Sequence, residues 1–210
     1  MIKAVIFDLD GVIVSTDELH YQAWKMIADQ EHIEFNHRIN HRLRGVSRMD
    51  SLNIILEKAN KTYSDTEKLD MATRKNNYYV ELLKSLSEKD VLPGVVEVLH
   101  ALHQQGIKTA IGSSSRNTKA ILKYIGLEKS FDVIADGNDI KNSKPAPDVF
   151  LKAAEKLDMH PSSCVVVEDA LAGIEAAKRA GMIAVAVSDA KNSHLADYRF
   201  NSILDLLSLF

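Results

Sequence analysis

Short apolar runs recur along the chain, each closed by an abrupt change to polar residues. Runs at 3–8 (KAVIFD), 107–112 (IKTAIG), 131–135 (FDVIA), 163–168 (SCVVVE) and 183–187 (IAVAV) are rich in Val, Ile and Ala and predict buried strands. Between the later runs the apolar residues take helical spacing. Val95, Val98, Leu99 and Leu102 lie within 94–105, and Ile121, Leu122 and Ile125 within 117–125, stopped at Gly126. Segments 147–157 and 170–180 follow, the second ending at Gly181. Strand and helix in alternation predict an α/β fold: a doubly wound parallel sheet covered on both faces. Such sheets bind ligands at the carboxyl ends of their strands.

Residues 15–90 break the alternation. They hold no strand pattern. The run STDE at 15–18 fits a capping box from Ser15 to Glu18, after which Leu19, Ala23 and Ile27 line one helix face. Helical segments follow at 50–60 and 65–86, and Pro93-Gly94 marks the return to the alternating pattern. The expected organisation is a catalytic core of residues 1–14 and 91–210, with an all-helical cap of residues 15–90 inserted after the first strand. There is no internal repeat.

The first run carries two acids where a strand would end. Asp8 and Asp10 flank Leu9 and face one side if the strand persists, and Gly11 permits a tight turn. Buried carboxylates are costly without a partner. The run VVVEDALAG at 165–173 repeats the arrangement with Glu168 and Asp169. Acids at a single strand end are common, but four acids at one sheet edge would repel unless a divalent cation sat among them. An oxygen-only set suits Mg²⁺, which keeps open positions for a phosphate oxygen. GSSSRN at 112–117 follows a strand and opens a helix, and hydroxyls and free N–H groups there suit an anion. NSKPAPD at 142–148 sets Lys144 before two prolines, as a point charge for phosphate. Taken singly, these are an ordinary serine-rich cap and a solvent-facing lysine; their shared position after successive strands joins them.

FDLDG, the Ser113 turn, SKPAPD and VVVEDALAG together, in that order, resemble the haloacid dehalogenase superfamily. The cap motifs TDELHYQAW (16–24), RGVSRMDSL (44–52) and RKNNYY (74–79) are similar to its β-phosphoglucomutase family. The resemblance implies a mechanism. Asp8 becomes an aspartyl phosphate, and Asp10 is the general acid/base. Asp8, the Asp10 carbonyl and Asp169 hold Mg²⁺ with Glu168 beside them, and Ser113 and Lys144 hold the transferring phosphoryl group. It implies that His20 nears Asp10, that Trp24 lines the sugar site and that Lys75 contacts the sugar. Thr16 and the turn Arg44, Gly45, Val46, Ser47 and Arg48 join the substrate-binding set, with Arg48 the best clamp for a distal phosphate. Ser114, Ser115, Arg116 and Asn117 complete it. Ser114 and Arg116 stand where that family's usual run has Ala and Lys, which leaves the identity of the sugar less defined than the reaction. On the residues alone, His20 and Trp24 are a packing pair and Arg44 to Arg48 a solvated loop. His37 and His41, four residues apart, lack a third ligand and read as surface histidines.

Composition narrows the remaining choices. The net charge is −3, which argues against a nucleic-acid partner, and no apolar run approaches the length of a membrane span. One cysteine, Cys164, permits no internal disulfide and fits a reducing, cytoplasmic compartment. None of the 9 glycines forms a GxG, which disfavours a dinucleotide enzyme. The expected activity is interconversion of β-D-glucose 1-phosphate and glucose 6-phosphate by a monomer, primed by β-D-glucose 1,6-bisphosphate. A sugar-phosphate phosphatase on the same scaffold and a non-catalytic metal or phosphate sensor are the alternatives.

Overall fold

The structure, a computed structural model, describes residues 2–210. Strand β1 (Ala4–Phe7) is followed by four helices: α1 (Asp17–Gln30), α2 (His37–His41), α3 (Arg48–Leu56) and α4 (Asp65–Leu83). The alternating part then runs α5 (Val95–Gln104), β2 (Lys108–Gly112), α6 (Thr118–Tyr124), β3 (Val133–Ala135), α7 (Asp148–Lys156), β4 (Cys164–Glu168), α8 (Leu171–Arg179), β5 (Ile183–Ala186) and β6 (Tyr198–Arg199). The sheet is parallel throughout, in the order β3-β2-β1-β4-β5-β6. The chain builds outward from β1 to β3 and then restarts at β4 on the other side. The crevice at the carboxyl ends of β1 and β4 is therefore a topological switch point.

Strand alternation divides the core. Val5, Phe7, Ile111, Val165, Val167 and Val185 pack with α5 and α6 on one face. Ala4, Ile6, Ala110, Val166, Ala184 and Ala186 pack with α7 and α8 on the other. Both faces are covered, so these strands read as continuous apolar runs. The inserted helices have a cluster of their own, built on Trp24, Ile27, Phe35, Leu52, Ile55 and Met71. Ala23, Tyr79 and Leu83, at the base of α1 and α4, pack into the core cluster instead. Among the described residues no helix is long and apolar enough to cross a membrane.

Two local expectations are corrected. The Ser15–Glu18 capping box does not form: Thr16 is the N-cap of α1 and its side chain does not cap the helix. Its hydroxyl and N–H both go to Asp10, so a tertiary partner overrides the local signal. The segment expected at 50–60 starts earlier, because Ser47 accepts from the Asp50 N–H and caps α3. Helix α2 and strand β6 carried no periodic signal; they span five and two residues, respectively.

Candidate active site

Strand register builds the centre of the site. Phe7 pairs with Val167, which places Asp8 level with Glu168 at adjacent strand ends. The Asp8 N–H donates to the Val167 carbonyl at 3.0 Å, carrying the ladder one residue past the strand. Oxygens of Asp8, Glu168 and Asp169 lie within 4.8 Å of one another. Two glycines make room for them. A Cβ on Gly173 would stand 1.8 Å from Glu168 Oε1, and one on Gly11, at φ +80°, would stand 2.1 Å from Asp169 Oδ2.

Lys144 reaches into this cluster from the loop before α7. Its Nζ donates to Asp8 Oδ1 and to Glu168 Oε1, each at 2.5 Å, and sits over the Phe150 ring. Burial by itself would lower the Lys144 pKa; attraction to Asp8 and Glu168 outweighs it and raises the value, so the ammonium stays charged. One ammonium does not neutralise three acids. Burial, partly offset by Lys144, pushes Glu168 up to about 7. Asp169 is pushed up to about 8 by burial and by repulsion from Glu168, Asp8 and Asp10. A half-buried carboxylate without a cation partner of its own, among oxygen donors only, fits a hard divalent ion, and the site suits Mg²⁺.

The fourth acid stands apart. The sequence places Asp10 beside the others, but β1 ends at Phe7 and Asp10 lies on the following turn, so its carboxylate does not join the three. It faces the cap helices. Thr16 donates to it twice, from N–H at 2.7 Å and from Oγ1 at 2.5 Å, and Tyr79 donates its hydroxyl to Thr16 Oγ1 at 2.9 Å. Partial burial pushes Asp10 up to about 6, with Asp8 and Asp17 adding to the rise and the Thr16 bonds opposing it. His20 Nε2 is 3.9 Å from Asp10 Oδ2, and His20 Nδ1 is 2.7 Å from Lys75 Nζ. Burial first, then Lys75 and Arg48, hold the imidazole well below its usual pKa. Lys75 is also held low, by burial and by Arg48. His20 thus links Lys75, at its Nδ1, to the neighbourhood of Asp10, at its Nε2.

The remaining expected residues fall in two places. Ser113 is buried after β2, where its hydroxyl accepts from the Ser115 N–H at 3.1 Å. Ser115 Oγ accepts from the Asn117 N–H at 3.1 Å. The Ser114 hydroxyl faces the Lys144 backbone N–H at 3.5 Å, so it is turned toward the lysine loop. In the cap turn, Gly45 lies against Ala170 and Ala172, beside the acidic pair, while Val46 follows it and Ser47 caps α3. Two placements differ from expectation. Trp24, expected to line a sugar, is 2% exposed and packs among the cap helices, with the Lys75 ammonium 5.1 Å from its ring. Arg44, expected to face substrate, is taken by acids: Nη2 donates to Asp17 Oδ2 at 3.0 Å and Nη1 to Asp189 Oδ2 at 2.5 Å. Among the described residues Arg48 has no acidic partner; it donates to Asn76 Oδ1 at 2.8 Å. His41 meets Asp189 and His37 stacks on Tyr21, both outside the acidic cluster.

Sequence reasoning missed Tyr79, Asn76, Asp17 and Asp189. Tyr79 stacks on His20 with centroids 4.1 Å apart, and it lies four residues after Lys75. That i,i+4 spacing was available as a signal. Asn76 and Asp189 have no local pattern to give them away.

The profile of the haloacid dehalogenase-like hydrolase family matches residues 2–181, and the chain belongs to that family. A β-phosphoglucomutase from Bacillus subtilis is 44% identical over 206 residues, 97% of this chain and 91% of that protein. The crystal structure of β-phosphoglucomutase from Clostridium difficile superposes with a TM-score of 0.91 at 42% identity, covering 98% of this chain and 93% of that one. A phosphorylated carbohydrates phosphatase from Thermotoga maritima is 34% identical over 183 residues, 86% of this chain and 82% of that protein. The resemblance to the β-phosphoglucomutases carried by the cap motifs is borne out.

Proposed function

We propose that the protein is a β-phosphoglucomutase, interconverting β-D-glucose 1-phosphate and glucose 6-phosphate through an aspartyl-phosphate enzyme and β-D-glucose 1,6-bisphosphate. Residues 15–90 act as the cap over a core of residues 1–14 and 91–210. The observation that carries this reading is a pair of guanidiniums without acids. Arg48 from the cap has its pKa lowered by burial and then by the neighbouring Arg116 of the core. Among the described residues the arginines that pair with acids are Arg42, Arg44, Arg74 and Arg179. Arg48 and Asn117, the neighbour of Arg116, both donate to Asn76 Oδ1, and neither Arg48 nor Arg116 is among the arginines paired with acids, so both guanidiniums are left for an anion. The core already has one phosphate position, at Asp8, Lys144 and Ser113. A second anion position across the cleft suits a bisphosphate, whereas a monophosphatase needs one.

Asp8 attacks phosphorus with a carboxylate oxygen, the P–O bond to the sugar breaks, and the departing oxygen takes its proton from Asp10. In the other half-reaction the free hydroxyl of a sugar monophosphate, C6 of β-glucose 1-phosphate or C1 of glucose 6-phosphate, attacks the aspartyl phosphate and gives its proton to Asp10, so that the bond from phosphorus to Asp8 breaks and the bisphosphate forms. Lys144, held charged between Asp8 and Glu168, offsets charge on the phosphoryl oxygens. His20 and Lys75 border Asp10 on the cap side, where the sugar would lie. Asp8, the Asp10 carbonyl and Asp169, with Glu168 beside them, would hold Mg²⁺, which supplies further neutralisation of the phosphoryl group when bound. Chelation is therefore expected to silence turnover and added Mg²⁺ to restore it, measured as glucose 6-phosphate formed. Restoration by Zn²⁺ but not Mg²⁺ would contradict the oxygen-only site. The reading includes a monomeric, cytoplasmic protein acting on a small sugar phosphate, supported by the family and by the lone thiol.

The test is an assay of both anomers of glucose 1-phosphate, with and without a trace of the bisphosphate, on the native protein and on Arg48→Ala. The β anomer should be converted after priming and the α anomer should not. Arg48→Ala should cut conversion by roughly 10–150-fold, the worth of a charge-assisted hydrogen bond. Phosphorylation of Asp8 by acetyl phosphate, which has no second phosphate, should fall far less. Release of inorganic phosphate as the main product from either anomer would favour the phosphatase.

A further inference from the structure

We propose that Asn76 is a positioning residue for the non-reacting phosphate, its single amide oxygen gathering Arg48 from the cap and Asn117 from the core. This rests on the distal-phosphate role of Arg48 proposed above. Asn76 Oδ1 accepts from Arg48 Nη2 at 2.8 Å and from Asn117 Nδ2 at 3.2 Å. Among the described residues it is the one side-chain oxygen at which donors from the two parts of the chain meet. Asn76 lies on α4 and Asn117 opens α6, and these helices touch.

The stoichiometry of donors carries the inference. A guanidinium has five N–H groups and a carboxamide has two. Asn76 takes one from each, leaving Arg48 four and Asn117 one. The Asn76 oxygen therefore fixes the direction of both side chains without consuming their capacity. A long arginine left free would lose rotamer freedom on binding, and holding it beforehand reduces that cost. The acceptor is also neutral. An aspartate here would pair with Arg48 and answer the charge the phosphate is meant to answer, as Asp17 and Asp189 do for Arg44. Lys75, one residue earlier, points about 100° away around the helix, toward His20. Adjacent residues of α4 thus serve the acid/base side and the anion side of one cleft.

The test compares Asn76→Ala, Asn76→Asp, Arg48→Ala and the double variant Arg48→Ala/Asn76→Ala, each assayed with β-glucose 1-phosphate and with acetyl phosphate as donor to Asp8. Asn76→Ala is expected to raise KM for the sugar phosphate about 10-fold, with a much smaller change in kcat and in the acetyl phosphate reaction. Asn76→Asp should raise KM further, by filling the clamp with a fixed carboxylate. The double variant should be within about twofold of Arg48→Ala, because the asparagine acts through the arginine. If Arg48→Ala raises KM and Asn76→Ala does not, the proposal fails and the distal-phosphate reading survives. If Asn76→Ala slows both donors equally, the residue serves the fold and the proposal fails. If Arg48→Ala leaves KM unchanged, the distal-phosphate reading falls and takes this proposal with it. Should Asn76→Ala not fold, Asn76→Ser gives the same comparison.

Discussion

Asp8→Asn is expected to reduce mutase activity to background, with the protein still folded. Loss of an enzymic nucleophile costs on the order of 10⁶-fold, and the carboxamide oxygen is a far weaker nucleophile than a carboxylate. Burial makes the fold question a real one, since Lys144 loses one of its two acidic partners. It keeps Glu168 at 2.5 Å, and the amide oxygen at position 8 can still accept a hydrogen bond, so the ammonium is not stranded. Removing the Asp8 charge also relieves repulsion that helps raise Glu168 and Asp169. Mass spectrometry of the native protein after brief exposure to a phosphoryl donor should place the label on residue 8. A label on Ser113, the buried hydroxyl of the turn after β2, would end the assignment.

Asp10→Asn is expected to slow transfer to and from sugar hydroxyls by about 10²–10⁴-fold, the usual contribution of general acid–base catalysis. Acetyl phosphate has a leaving group that needs little protonation, so phosphorylation of Asp8 by it should suffer much less. Single-turnover measurements with the two donors decide the matter; equal damage would mean that Asp10 shapes the site and does not move the proton. The geometry supports the split. Asp10 stands apart from the three clustered acids, on the cap side with Thr16 and His20, where a sugar oxygen would lie. Its rise to about 6 also means it can carry a proton near neutral pH more readily than an ordinary aspartate.

What the sequence disclosed follows a physical line. The five principal strands were legible because both sheet faces are covered, which forces unbroken apolar runs. Asp8, Glu168 and Asp169 were legible because they terminate those runs, and parallel register then brings them level. Lys144 was legible through its prolines. The capping box at Ser15 was a sound local signal that failed because Asp10 competes for the same threonine-bearing turn. Trp24 illustrates the converse: its helical spacing with His20 says only that the two share a side of α1, not which of them reaches open space. Arg44 and Arg48 look alike in RGVSR, and only the fold shows that Asp17 and Asp189 surround the first and leave the second. Asn76 was invisible, since its meaning lies in a meeting of α4 and α6 across 41 positions of chain.

The two chain crossings between sheet and inserted helices are tied together. Val14 forms an antiparallel bridge with Val91, and the Leu92 N–H donates to the Ile13 carbonyl at 2.9 Å. Bridged residues stand about 5 Å apart, so the outgoing and returning strands leave the core at a single doorway. A short reverse turn could span that doorway. The inserted helices thus leave and rejoin the sheet through one hydrogen-bonded neck, a geometry that would let them be exchanged without changing the strand register.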